Sequence, residues 1–199
     1  KLESKLEGGY MIGAVFCDWN GTLLNDVRLS WASVVAIYKH FGLPVPPRRA
    51  FLNAIGSDFM KTYRLFGMPE TAKPEELGAI RHRYFEEHWY EAELREGALE
   101  FMRWCKVEGV NVAIVSAELP EIIAKRCSDL KITGYIDLIH AYAIQKRPAL
   151  RNAIERFSLK PHQCIYVTDT KDDILGNKSL PQSPISPISI FGTYNRFTL

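Results

Sequence analysis

No stretch of this 199-residue sequence approaches the run of about 18 to 20 apolar residues that a membrane span requires. Charge of one sign is missing too. Lys and Arg total 25 against 23 for Asp and Glu, a formal net charge of +2. Such a balance sets up no field strong enough to select nucleic acid or an anionic membrane as a partner. Cysteines are few, and Cys17, Cys105, Cys127 and Cys164 form no C-x-x-C pair and meet no histidine at zinc-site spacing. They read as reduced thiols acting as small hydrophobes in a cytosolic protein. There are no internal repeats, and the one biased tract, Ser179–Ser189, reads as an extended Ser/Pro loop running into a last strand. With 47% hydrophobic and 24% charged residues, the chain suits one globular domain carrying an insertion, and disorder or a fibre is excluded. The opening KLESKLEGGY has neither an initiator Met nor an apolar signal core, so residues 1–10 read as an appended remnant or a disordered N-terminus ahead of Met11.

Five short apolar runs are present: Met11–Cys17, Val110–Val115, Tyr135–His140, Cys164–Thr168 and Pro187–Phe191. Their length, and the Val and Ile content of the first, second and fourth, suit strands buried on both faces of a parallel sheet. Helical patterns separate the later ones. Ala98–Glu108 puts Leu99, Met102, Trp104, Cys105 and Val107 on an apolar stripe stopped by Gly109. Pro120–Leu130 and Pro148–Phe157 both begin with proline, as helix first turns do. This alternation predicts an α/β fold: an open, parallel, five-stranded Rossmann-like sheet with helices on both faces and its ligand at the carboxyl ends of the strands. Between about Arg28 and Arg95 the rhythm breaks. That stretch has no convincing strand and four helical patterns, Ser30–Phe41, Arg48–Ile55, Ser57–Leu65 and Pro74–Tyr90, punctuated by prolines. It reads as an inserted all-helical subdomain. The expected division is residues 11–27 with 96–199 as the α/β core and 28–95 as the helical insertion. Tyr84, Phe85, Trp89 and Tyr90 read as part of the insertion's own core.

Chemistry-bearing residues collect at the strand ends. The first strand runs into Asp18-Trp19-Asn20-Gly21-Thr22-Leu23, a carboxylate at the lip of the sheet with a turn behind it able to aim backbone N–H groups at an anion. Ser116 and Ala117 follow the second strand, where the serine serves equally well as a turn or helix cap. Lys146 follows the third and, taken alone, reads as a solvated loop lysine. The fourth ends in Thr168-Asp169-Thr170-Lys171-Asp172-Asp173, three carboxylates that repel one another unless a cation neutralises them, and hard oxygen ligands suit Mg²⁺.

Taken together and in this order, the four strand ends resemble the haloacid dehalogenase-like hydrolase superfamily over nearly the whole chain. Asp18 to Leu23 is similar to its first motif, Ser116 to its second, Lys146 to its third, and Asp169 with Asp173 to its fourth. The helical insertion resembles the cap of the first type, found in phosphoglycolate-phosphatase-like members. The segment from Arg95 to Phe101 resembles the place where the family's chain returns to its core. The resemblance implies a Mg²⁺-dependent phosphohydrolase acting on a small phosphorylated metabolite, as a monomer or homodimer. It makes Asp18 the nucleophile of an aspartyl-phosphate intermediate. Lys146, Ser116, Ala117 and Trp19 would hold the phosphoryl group, and Asp18, Asn20, Asp169 and Asp173 the metal. Gly56, Ser57 and Lys61 in the cap would approach the substrate.

Asn20 departs from the family's pattern. Its phosphatases usually carry a second Asp there, which protonates the leaving oxygen and then activates water. An amide does neither, and a positioned acid or base is commonly worth about 10²–10⁴ in rate. Three readings stay open: a slowed phosphatase or one with another proton donor; a hydrolase of an acyl phosphate or a carbon–halogen bond, whose leaving group needs no proton; and a non-catalytic or regulatory protein that binds a phosphorylated ligand.

Overall fold

A computed structural model describes residues 11–56, 58–170 and 186–189. The described residues fall into two compact units, one carried by the chain up to Leu24 together with the chain from Leu94 onward, the other by Asn25–Glu93.

The first unit is built on strand β1 (Ala14–Cys17), whose four residues are all buried. It pairs in parallel with β4 (Asn111–Val115) on one side and β6 (Cys164–Thr168) on the other. Outside these, β5 (Leu138–His140) pairs with β4 and β7 (Ser186–Ser189) with β6, so the sheet has the order β5-β4-β1-β6-β7 and is parallel throughout. Successive side chains of a strand face opposite ways. Ala14 and Phe16 pack with Ala113, Val115 and Tyr166 against Leu150 and Ile154 of helix α7 (Lys146–Arg156), where Phe157 stacks on Phe16 at 6.3 Å. Cys17, on the other face, lies beside Cys105 of α5 (Ala98–Glu108). Helices therefore cover both faces, as predicted. Chain order reverses between β1 and β6, the switch point where open α/β sheets leave a crevice at the strand ends.

All four cysteines are buried free thiols. Burial pushes Cys105, Cys127 and Cys164 up to about 11, and raises Cys17 as well, with its neighbours Cys105 and Asp18 adding to the effect.

The second unit holds helices α1 (Val27–His40), α2 (Arg48–Ala54), α3 (Phe59–Leu65) and α4 (Pro74–His88). Three aromatic rings organise it. Phe51, fully buried, stands edge-on to Tyr38 and Tyr63, which stack on each other at 5.8 Å. Tyr38 donates its hydroxyl to the Tyr63 carbonyl at 3.1 Å, and burial pushes it up to about 12. Among the described residues no helix is long and apolar enough to cross a membrane.

The structure departs from the sequence expectations at several points. The stretch read as free of strands ends in a two-residue strand, β3 (Glu93–Leu94), which pairs with β2 (Leu24–Asn25) where the chain leaves and returns. Two residues are too short to leave an alternation in the sequence. Helix α7 begins at Lys146, two residues ahead of Pro148, because a first-turn amide needs no partner and proline is tolerated anywhere in that turn. On α5 only Met102 and Cys105 of the stripe are fully buried, while Trp104 is 44% and Val107 82% exposed. The aromatic cluster of α4 is likewise not the core of its unit. Leu77 is that helix's only buried residue, Tyr84 and Phe85 are half-buried, and Tyr90 is exposed. Tyr38, Phe51 and Tyr63 occupy that core instead.

Candidate active site

Asp18 directly follows β1, and its N–H donates to the Val167 carbonyl of β6 at 2.9 Å, so the ladder itself carries it to the lip of the sheet. Its Oδ1 accepts from the Trp19 N–H at 2.8 Å and from Lys146 Nζ at 2.8 Å. Lys146 also donates to the Val115 carbonyl at the end of β4, again at 2.8 Å. The ammonium is thereby fixed between two neighbouring strand ends. Both side chains of the pair are 11% exposed, where water screens poorly and a charge-assisted bond is strong.

The loop behind Asp18 is wound round one carbonyl. Trp19 O accepts from Thr22, Leu23 and Leu24 N–H groups at 3.3, 3.1 and 3.0 Å, and the Trp19 indole, 1% exposed, anchors the turn in the core. Gly21 sits at φ +73°, and a Cβ there would run into the Asp169 carboxylate. Only glycine both adopts this conformation readily and admits the carboxylate so close. Asp169 Oδ1 also accepts from Thr22 Oγ1 at 3.4 Å. On the next residues, Thr170 N–H donates to Thr168 Oγ1 at 3.2 Å.

Ser116, 2% exposed, ends β4. Its N–H donates to His140 O at 3.1 Å and its carbonyl accepts from Ala143 N–H at 2.8 Å, which ties the loops after β4 and β5 together. Its Oγ accepts from Glu118 N–H at 3.2 Å, the cap-like turn that was one of its two readings. Ala117 is exposed beside it.

Thus Asp18, Trp19, Asn20, Ser116, Ala117, Lys146 and Asp169 all lie at carboxyl ends of β1, β4 and β6 or at the start of α7. Asp173 and Ser57 lie outside the described residues. Gly56 and Lys61 are exposed residues of the second unit, where Asp58 accepts from Lys61 N–H at 3.2 Å as the N-cap of α3. Two residues of the first unit carry no sequence signal for the contacts they make: Thr22, on Asp169, and Arg95, which donates from Nε to the Thr22 carbonyl at 3.2 Å and from a terminal nitrogen to the Gly21 carbonyl.

Lys146 meets Asp18 on the β4 side of β1, while Asp169 follows β6 on the other side, across the switch point. Among the described residues no three His, Cys, Asp or Glu side chains converge as a metal cluster. Mg²⁺ does not require one. It takes one or two carboxylates, a carbonyl and several waters, and Asp18, Asp169 and the Asn20 carbonyl fit that donor set. The space a Gly21 Cβ would fill is occupied by carboxylate oxygen, so the turn is shaped around an anionic ligand-bearing group.

A Rossmann-like parallel α/β sheet with an acid–lysine pair at the carboxyl ends of β1 and β4, and a helical unit inserted after the first strand, marks a hydrolase class. The chain belongs to the haloacid dehalogenase-like hydrolase family, whose model matches residues 15–180. It is 23% identical to phosphoglycolate phosphatase 1 of Pseudomonas aeruginosa over 83% of this chain. It spans about 65% of that relative's length. Among solved structures, CbbY from Rhodobacter sphaeroides in complex with phosphate superposes with a TM-score of 0.74 at 17% identity, covering 95% of this chain and 90% of that one. A predicted phosphoglycolate phosphatase from Haemophilus somnus 129PT gives a TM-score of 0.73 at 16% identity, covering 92% and 88%.

Proposed function

We propose that this chain is a Mg²⁺-dependent phosphohydrolase that cleaves a small phosphorylated metabolite through a phosphoryl group carried transiently on Asp18. The observation that carries this is the Lys146–Asp18 contact of 2.8 Å at the carboxyl end of β1, with the Gly21 turn of the same loop closed against Asp169. The name of the curated relative and the phosphate bound to CbbY support a phosphorylated substrate.

In the first step an Asp18 oxygen attacks phosphorus in line and the bond to the ester oxygen breaks; the leaving oxygen departs as an anion and takes its proton from water. In the second, water attacks the same phosphorus, releasing inorganic phosphate and restoring the carboxylate. Lys146 holds the Asp18 carboxylate in place and offsets phosphoryl charge as it approaches. The Ser116 hydroxyl carries a proton it can donate to a phosphoryl oxygen, and the exposed backbone at Ala117 lies next to it. The backbone of Trp19, whose N–H already donates to Asp18 Oδ1, would complete the anion's surroundings. Asp18, the Asn20 carbonyl, Asp169 and Asp173 would hold the metal, which when bound supplies neutralisation of charge on the phosphoryl oxygens. The helical unit would act as the cap, with Gly56, Ser57 and Lys61 toward substrate. Four buried thiols suit a reducing, cytosolic compartment.

Asn20 gives the reaction a recognisable profile. Its amide has no acidic proton to transfer to a leaving alkoxide, so substrates whose leaving group departs as a stable anion are favoured. Phosphate release from an aryl and an alkyl phosphate, with Mg²⁺ and with chelator, beside Asp18→Asn, tests this. Metal-dependent release of the aryl ester, weak on the alkyl ester and abolished by Asp18→Asn, is the expected result. No release from folded protein would overturn the catalytic reading in favour of the phospho-ligand-binding one that Asn20 also allows.

A further inference from the structure

Arg95 is the second residue after the chain returns to the first unit, and it grips the loop that carries Asp18. Its backbone N–H donates to Leu23 O at 2.8 Å, its Nε to Thr22 O at 3.2 Å, and a terminal nitrogen to Gly21 O. These three carbonyls belong to three successive peptide planes. The N–H of each same plane, from Thr22, Leu23 and Leu24, donates to the single carbonyl of Trp19. Each plane is thus pinned at both ends, by Trp19 O on the N–H side and by Arg95 on the C=O side. A peptide plane held at both ends cannot turn about its neighbouring φ and ψ without breaking a hydrogen bond. Those torsions set Gly21 at φ +73° against Asp169 and place Thr22 Oγ1 at 3.4 Å from the same carboxylate.

We propose that Arg95 is a positioning residue: its guanidinium holds the Gly21 and Thr22 peptides in the orientation that seats Asp169. The inference rests on the phosphohydrolase reading for its catalytic consequence, though not for its structural one. A guanidinium fits this task because its planar donors reach two adjacent carbonyls at once, which a lysine's point charge does not. Losing the side chain frees the carbonyl ends of two planes and leaves the backbone bond to Leu23, so the loop loosens without unfolding the sheet.

The test uses the full chain carrying Arg95→Met, Arg95→Lys and Arg95→Ala. In metal-free protein, amide hydrogen exchange at Thr22, Leu23 and Leu24 rises at least about 10-fold in Arg95→Met, while the amides of β4 keep their wild-type rates. With an aryl phosphate, the Mg²⁺ concentration for half-maximal rate rises about 10–100-fold, the range seen when a residue behind a metal ligand is lost. Arg95→Lys recovers only part of both effects, and millimolar guanidinium added to Arg95→Ala restores rate and protection together. Wild-type exchange in a folded variant overturns the proposal, as does lost protection spread evenly over the sheet. Should Arg95→Met fail to fold, Arg95→Lys decides by the same exchange pattern. Absence of Mg²⁺-dependent release in the wild type would sink the phosphohydrolase reading while leaving the exchange measurement to judge Arg95.

Discussion

Lys146→Met is the perturbation that weighs the centre of the site. At 2.8 Å the attraction between Lys146 and Asp18 amounts to about 6 kcal/mol gross at an effective dielectric of about 20. Much of that offsets the cost of withdrawing both charges from water, so the net value of the intact pair is small. Removing one partner is different, because Asp18 then keeps its burial without its cation, a loss commonly of about 3–5 kcal/mol. The bond to the Val115 carbonyl goes as well, worth about 1 kcal/mol. Against these, the Trp19 N–H still donates to Asp18, and the residual exposure lets water approach. The lower end applies, about 3 kcal/mol, or a fall of roughly 6–12 °C in Tm for a chain of this size.

A double-mutant cycle isolates the charge term. Asp18→Asn with Lys146→Met removes the uncompensated carboxylate, so the double variant should recover about 2 kcal/mol relative to Lys146→Met plus Asp18→Asn taken separately. Urea unfolding followed by circular dichroism measures each corner, with thermal melts as a check that one transition is being compared. A Lys146→Met variant within about 0.5 kcal/mol of wild type, with no coupling to Asp18, would refute the reasoning, since it would mean the two charges are already solvated.

Other substitutions probe the rest of the site and the core. Asn20→Asp should raise alkyl phosphate hydrolysis by about 10²–10⁴ and aryl hydrolysis far less, read as the ratio of kcat/KM values for the two esters. Gly21→Ala forces a side chain into the left-handed region and against Asp169; a loss of at least about 1–2 kcal/mol in urea unfolding and a raised Mg²⁺ requirement are expected. The thiols give a pH signature. Cys105, Cys127 and Cys164 are raised by burial from 9.0 to about 11, so between those values the unfolded chain loses protons that the folded chain keeps. Their contribution is intact below pH 9 and declines as the pH rises through about 11, a fall in Tm that Cys164→Ala should lessen.

The strands of the parallel sheet and most helices are legible in the sequence because each is written locally, in apolar runs or in a 3.6-residue pattern with proline or glycine at its ends. Gly109 at φ +70° stops α5 as its position suggests. What periodicity cannot say is which neighbour covers an apolar face. Trp104 and Val107 of α5, and Tyr90 after α4, satisfy the pattern and yet meet solvent. The site divides in the same way. Asp18 and Asp169 are visible as strand-end carboxylates, whereas Lys146 gains meaning only from a contact made across 128 residues of sequence. Arg95 is visible only as the start of the segment that returns to the core; its contacts leave no trace, because they go to carbonyls, and every residue type supplies a carbonyl.

That division bears on Asn20. The groups that hold charge at this site act through Asp18, Lys146, Asp169 and backbone atoms, and none of these contacts needs a carboxylate at position 20. The turn from Trp19 to Leu24 is wound by Trp19 O and braced by Arg95, so the backbone directly after Asn20 is held by bonds that do not depend on a carboxylate there. On the proposed reading, an Asn in place of an acid there would remove proton transfer and leave phosphate and metal recognition in place. Binding and turnover would therefore be separable in this chain. A phosphate analogue that needs no leaving group should bind wild type and Asn20→Asp with affinities within about 3-fold, while alkyl ester turnover differs by about 10²-fold or more. A large affinity difference, measured by calorimetry with Mg²⁺ present, would mean that residue 20 shapes the site itself.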